Sequence, residues 1–422
     1  MNFKNLRQRH PKFVYEEFDY RVHKNFLQIK FHFWLAPDTH FSPTLEIPVP
    51  DETSDNLDNL VFHLGLIEMI SYWKATCSPN IVIKAGKLTG EQIAWWRHLF
   101  INGLGEFFYQ NEIDFNQENF LTINSEGSEF DISETKKSEG NLILIGGGKD
   151  SAVTAELLEG TALLLNPTGA ALKVTEISEL NSIIIKRTID PTLLQLNVQG
   201  YLNGHTPFSA YLSFLSLLVA RLYGFKNIVV SNEASAGEAN LEYLGLKVNH
   251  QYSKSFEYEK LFREYTKKYL SKKINYFSFL RPLNELQIAA LFVQTEKYDK
   301  AFNSCNIGRN EYWCGECPKC AFSFLILSSL IDKTRLEKIF GESDFFKNEK
   351  IKRHIKDLTG EGKHKPLDCV GTEEESKMAL KLIGSPNDQG VIYRIKNDWS
   401  DEHFLPEEYS KLLKDKMASL KL

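Results

Sequence analysis

Three groups of residues have the types and spacing to do chemistry. The first is Gly146-Gly147-Gly148-Lys149-Asp150-Ser151. Without Cβ atoms, glycines let backbone N–H groups close on an anion. If a helix starts there, its free amides and dipole favour phosphate. Lys149 adds a mobile cation and Ser151 a donor. Asp150 would repel phosphate unless a divalent cation bridges the two. The second group is Cys305, Cys314, Cys317 and Cys320. Four thiolates suit a closed, structural zinc site. An iron–sulfur cluster is the rival, but the run lacks a ferredoxin-like continuation, so zinc is expected. The third group is dispersed: Asn203-Gly-His205, Asn249-His-Gln-Tyr-Ser-Lys254, Leu280-Arg-Pro282, and Cys369 with His364 five residues before it. Loops that set a His, Lys or Arg beside glycine, proline or amides carry function more often than core segments do. A lone His is otherwise a satisfied core residue, and a lone Cys a small buried one.

These groups need elements to hold them. Asn141-Leu-Ile-Leu-Ile145 before the glycines reads as a buried strand, and Ala152 to Leu158 after them as a helix. The plain alternative is an ordinary glycine turn. Leu163–Leu165, Ser182–Lys186 and Asn227–Ser231 also read as strands, with a long helix over Pro207–Tyr223. Such βα alternation predicts a parallel sheet covered on both faces, with ligands at the strands' carboxyl ends. Asn166 and Ser231-Asn-Glu233 fall at such ends. Asn232 there either hydrogen-bonds an adenine or ribose or caps the next segment.

Residues 12–50 alternate as β-strands, and Leu57–Ala75 turns helical. Thr89 and Gln92 form a capping-box pattern before a helix rich in aromatics, Trp95 and Trp96 included. These aromatics read as core, with a sugar or uracil stacking platform as the sharper alternative. Residues 125–140 read as a polar linker. Three units are expected: an α+β N-terminal domain with antiparallel strands at 1–135, an α/β nucleotide-binding domain with the cysteine site at 136–335, and a helical extension at 336–422 ending in a solvated helix.

The formal net charge of −5 offers no global attraction for nucleic acid. The N-terminus lacks a signal-peptide apolar core, and the longest apolar run contains serines and Arg221. A cytoplasmic protein with no membrane insertion is expected. Clustered cysteines in such a chain suggest metal before disulfides.

The glycine loop is neither of two common phosphate loops. Ile143 and Asp150 stand where a Walker A loop needs Gly and Ser/Thr, and no glycine completes a dinucleotide fingerprint. It resembles the PP-loop of the ATP pyrophosphatase superfamily, Ser-Gly-Gly-x-Asp-Ser, with Gly146 replacing the first Ser. That resemblance implies a HUP-like parallel-sheet domain and cleavage of ATP between its α and β phosphates. With the cysteine spacing it also resembles the shorter 7-cyano-7-deazaguanine synthase branch. Over nearly its whole length the chain resembles the UDP-N-acetyl-α-D-muramoyl-L-alanyl-L-glutamate epimerase (MurL) family. The similar stretches are Ile70–Lys74, Gly103–Phe107, Gly146–Ser151, Leu202–His205, Ser231–Glu233, Asn249–Ser255, Trp313–Cys320 and His364–Gly371. Trp73 departs from an expected Tyr.

This resemblance implies ATP- and Mg2+-dependent inversion of the terminal Glu of a UDP-muramoyl dipeptide, for peptidoglycan and hence the cell wall and cell shape. Adenylation would remove the carboxylate charge that keeps the Cα proton from leaving. Gly146 to Ser151 would hold phosphates, with Asn232 and Arg281 as further nucleotide contacts. His205, His250, Lys254 and Cys369 would serve the proton transfers. Other adenylating enzymes, and a non-catalytic zinc-stabilised nucleotide-binding module, are the competing classes.

Overall fold

The computed structural model describes residues 2–50, 56–132, 138–308, 312–341, 345–362 and 365–421. His364 lies outside them, as does part of the expected linker at 125–140. Thirteen strands occur among the described residues. They are β1 (Lys12–His23), β2 (Phe26–Leu35), β3 (Thr39–Phe41), β4 (Thr44–Pro48), β5 (Asn80–Ile83), β6 (Thr122–Ser125) and β7 (Glu139–Leu144). Then come β8 (Thr161–Leu165), β9 (Asn181–Thr188), β10 (Phe225–Val230), β11 (Leu241–Tyr243), β12 (Leu246–Val248) and β13 (Asn275–Ser278).

Eleven of them form one mixed sheet, in the order β13-β10-β7-β8-β9-β4-β2-β1-β5-β6 with β3 on β2. The β13 to β9 half is wholly parallel. β4, β2 and β1 make the antiparallel part. The two halves join where β4 pairs antiparallel with β9, Leu45 opposite Arg187. The sheet is therefore continuous across the boundary expected near residue 135.

Alternation along the parallel strands sends successive side chains to opposite faces. Leu142, Ile228 and Tyr276 enter one core, with the helices Asp58–Trp73 and Phe208–Tyr223. Ile143, Val229 and Phe277 enter the other, with the helices Lys149–Leu157, Glu285–Phe292 and Pro318–Ser328. Ile351, Ile395, Leu413 and Met417 join this second core. The segment after residue 335 thus completes one layer. Its terminal helix, Glu407–Ala418, buries Leu413 and Met417 rather than standing wholly in solvent.

Local signals agree with local structure. The capping box at Thr89 and Gln92 is formed. Trp96 is buried and donates to the Tyr265 hydroxyl, while Trp95 packs on the same ring. These indoles are core, not a stacking platform. No described helix is long and apolar enough to cross a membrane.

Candidate active site

Strand β7 has β8 on one side and β10 on the other. The chain leaves β7 toward β8 and later returns to β7's opposite edge. Such a switch opens a crevice at the carboxyl ends of the strands. The glycine loop follows β7, Asn232 and Glu233 follow β10, and Arg281 follows β13.

Gly148 is the N-cap of the Lys149–Leu157 helix and has no side chain to occupy the first-turn amides. The loop is held from below. Ser151 Oγ accepts from Gly147 N at 3.1 Å and donates to the Gly148 carbonyl at 3.0 Å. Gly147 has φ +87°, and a Cβ there would lie 2.5 Å from the backbone N of Ala171. Only glycine meets both conditions.

Three carboxylates converge beside this loop. Ligand oxygens of Asp150, Glu233 and Glu285 lie within 4.8 Å of one another. Burial and the nearby Asp150 charge raise the Glu233 carboxyl above its usual range. Burial raises Glu285 further, against the pull of Lys149. Lys149 Nζ pairs with Asp150 and, at 2.7 Å, with Glu285. Burial opposes its charge, but these two carboxylates keep its pKa above the ordinary value. Excess negative charge with clustered oxygens is a suitable setting for a divalent cation bridging to phosphate.

A second set adjoins the first. Lys254 Nζ is 3.5 Å from Cys369 Sγ. Lys254 is held charged by Cys369 and, beyond burial, by Glu233 and Asp150. His250 hydrogen-bonds Cys369 as well, and its Nδ1 meets Glu106 Oε2 at 2.5 Å. Burial alone would raise the Cys369 thiol, but the Lys254 cation and the His250 hydrogen bond bring it down to about 7. Burial alone would lower His250, but Cys369 and Glu106 push it up to about 9. The pair is thus poised as thiolate and imidazolium. His205 packs on His250, ring centroids 4.9 Å apart. Burial, then the charges of His250 and Lys74, push it down to about 3, and its Nε2 is buried without a partner.

The remaining candidates are placed differently. Arg281 is buried beneath the site, donating to the carbonyls of Glu233 at 2.6 Å and Lys254 at 2.7 Å and to Glu259. It fixes the two backbone segments that carry the charges. Asn232 Nδ2 donates to Ser278 Oγ at 3.1 Å, and the turn that follows has no side-chain cap. No role is read in the sequence for Glu106 or Glu285, and Glu233 is placed there only within Ser231-Asn-Glu233 at a strand's carboxyl end. The capping box of Asn284 and Gln287 was the one local signal near Glu285. A cavity of about 240 Å3 behind the Lys149–Leu157 helix, lined by Val153, Phe292 and Tyr298, touches none of these groups.

The four cysteines converge with Sγ–Sγ distances of 3.9 Å (Cys305 to Cys317) and 3.7 Å (Cys314 to Cys320). A tetrahedron with Zn–S bonds of about 2.3 Å has edges of about 3.8 Å. All four sulfurs lie within 4.8 Å of one another, whereas a multi-iron cluster would hold thiolates on different irons further apart. Backbone amides of Gly308, Glu316 and Cys320 point at the sulfurs. This segment anchors both reactive loops. Asn303 N donates to the Gly147 carbonyl at 2.9 Å. Lys319 pairs with Asp368, next to Cys369, at 3.7 Å.

Comparison with known proteins finds two family models that match most of the chain. The MurL N-terminal domain model matches residues 4–279 and the MurL C-terminal domain model residues 299–409. The chain belongs to the MurL family. A UDP-N-acetyl-alpha-D-muramoyl-L-alanyl-L-glutamate epimerase from Micromonospora sp. is 34% identical over 366 residues, covering 82% of this chain and 80% of that protein. The protein of the same name from Salinispora tropica is 33% identical, covering 82% and 79%. One from Xanthomonas oryzae is 34% identical over 345 residues, covering 76% and 74%. No solved structure matches the chain. Both MurL domain models contribute to the crevice: Glu106, Asp150, Glu233, His250 and Lys254 lie in the first and Cys369 in the second, while Arg281 and Glu285 fall between them.

Proposed function

We propose that this MurL-family chain inverts the terminal L-Glu of UDP-MurNAc-L-Ala-L-Glu to D-Glu, consuming ATP, as a soluble cytoplasmic enzyme of peptidoglycan synthesis. The relatives' names supply the substrate class. One observation carries the chemistry: Lys254 lies 3.5 Å from the Cys369 thiol and also faces the charges of Glu233 and Asp150 at the glycine loop.

The α-carboxylate attacks the α-phosphorus of ATP, the bond to the bridging oxygen breaks, and pyrophosphate leaves. The loop amides and Lys149 hold the phosphates. Bound near Asp150, Glu233 and Glu285, Mg2+ would neutralise phosphate charge. The mixed anhydride no longer carries the carboxylate charge, so its Cα proton is more acidic. The Cys369 thiolate takes that proton, leaving an enolate-like state. Lys254 and the His250 imidazolium are the acids at hand to return a proton to the other face. Neutral His205 is a further acceptor. Water then attacks the acyl carbon and AMP leaves. Zinc held by Cys305, Cys314, Cys317 and Cys320 would be structural, since four protein ligands would leave no open position for chemistry.

The test is incubation of the UDP-dipeptide with ATP and Mg2+, followed by hydrolysis and chiral analysis of glutamate, with nucleotides separated in parallel. D-Glu with AMP and pyrophosphate is expected. No D-Glu above the enzyme-free background would remove the epimerase assignment, and ADP in place of AMP the adenylation step.

A further inference from the structure

We propose that Glu106 is a positioning residue: its carboxylate fixes the ring of His250 so that the opposite ring nitrogen meets the Cys369 thiol. This rests on the reading of Cys369 as the proton acceptor. Three sequence-distant segments make the relay. Glu106 lies in the short Gly105–Gln110 helix and is 5% exposed. Its Oε1 accepts from Gln110 Nε2 at 2.8 Å and its Oε2 meets His250 Nδ1 at 2.5 Å. A carboxylate can only accept, so Nδ1 carries a proton. Nε2 is then the ring nitrogen assigned to the sulfur.

The backbone brings the partners together. A Cβ on Gly105 would already sit 3.2 Å from Leu246 and 3.4 Å from Val248, at the hairpin that leads to His250. Asn240 Oδ1 accepts from His250 N at 3.0 Å, and its Nδ2 donates to the Pro366 carbonyl at 2.7 Å, on the approach to Cys369. The imidazole is thus held at its ring and at its backbone. Lys254, His250, Lys319 and neighbouring Asp368 face Cys369. Glu106, His205 and Cys369 face His250. Among the groups facing the ring, Glu106 holds Nδ1. A carboxylate behind an imidazole favours imidazolium, which in turn favours thiolate.

The test reads the thiol directly. Iodoacetamide labelling of Cys369 is followed by peptide mass spectrometry across pH in the intact enzyme, with Glu106→Gln and Glu106→Asp. Glu106→Gln should move the labelling midpoint up by about one pH unit, a roughly tenfold slower reaction on the acid side. Glu106→Asp should restore most of it. Superimposed wild-type and Glu106→Gln profiles would overturn the proposal. Because Glu106, His205 and His250 could also gather around an ion, bound metal is counted. A second equivalent in wild type, lost in Glu106→Gln, would overturn it in favour of a metal centre. Should Glu106→Gln not fold, nitrogen NMR of His250 in wild type decides, with Nδ1 protonated throughout expected and an unprotonated Nδ1 contrary. A shifted labelling profile alongside undiminished Cα-proton exchange in Cys369→Ser would keep the relay and strike the role of the thiol.

Discussion

Lys254 Nζ and Cys369 Sγ lie 3.5 Å apart although 115 residues separate them in the chain. Lys254 also faces Glu233 and Asp150. One ammonium thus faces both the carboxylates beside the glycine loop and the Cys369 thiol. Replacing it by Met should raise the thiol and weaken the link between the two. We expect Cα-proton exchange with D2O, in the presence of ATP and substrate, to fall roughly 100-fold or more in Lys254→Met. Cys369→Ala should abolish it. Full exchange in Cys369→Ala would exclude the thiol.

The pH dependence follows from the same pair. The thiol is held down to about 7, so its reactive thiolate appears as pH rises through that value. The imidazolium is held up to about 9 and is lost above it. The profile of kcat/KM should be bell-shaped with its maximum between these limits, and the two apparent values belong to the coupled pair. Lys254→Met should move the acid limb to higher pH. A profile flat from pH 6 to 10 would contradict the thiolate–imidazolium assignment.

Gly147→Ala places a methyl group 2.5 Å from the Ala171 backbone at a φ of +87°. Strain of about 1–2 kcal/mol adds to the clash, and the loop must shift. ATP affinity should fall at least about tenfold by calorimetry, more than a kcal/mol. Gly146→Ala meets nothing within 4 Å and should leave Tm unchanged. Equal ATP affinity in Gly147→Ala and wild type would mean that this loop does not hold the nucleotide.

The cysteine tetrad anchors both reactive loops through Asn303 and Lys319. Cys320→Ser should cost the chain its zinc by elemental analysis and lower Tm by roughly 5 °C or more. Hydrogen exchange should quicken at Gly147 and around Cys369 together. Zinc-free wild-type protein with unchanged Tm would show that the thiols stand without a metal.

What was legible in the sequence was local. A run of β-formers, a glycine turn and a helix start are each set by neighbours a few residues apart, and the β7 loop has that form. The cysteine spacing likewise announced one convergent site. The capping box at Thr89 is written in four residues.

The domain picture was less legible. Nothing in β4 marks it as the strand that pairs with β9 and merges two sheets, because Leu45 opposite Arg187 is a contact between segments far apart in the chain. The carboxylates were hardest to see. Glu106, Glu233 and Glu285 look in sequence like the chain's many solvated acids. What sets them apart is the company they keep: an imidazole at 2.5 Å for the first, an ammonium and two further carboxylates for the others. A side chain's charge is a property of its type, but the worth of that charge depends on burial and on what lies within a few ångströms. The sequence alone determined that a glycine turn between strand and helix, a convergent cysteine tetrad and a set of His, Lys and Cys candidates exist. Only the tertiary structure decided that Lys254, Cys369, His250 and Glu106 stand together, since that requires the fold to bring three segments distant in the chain to one place.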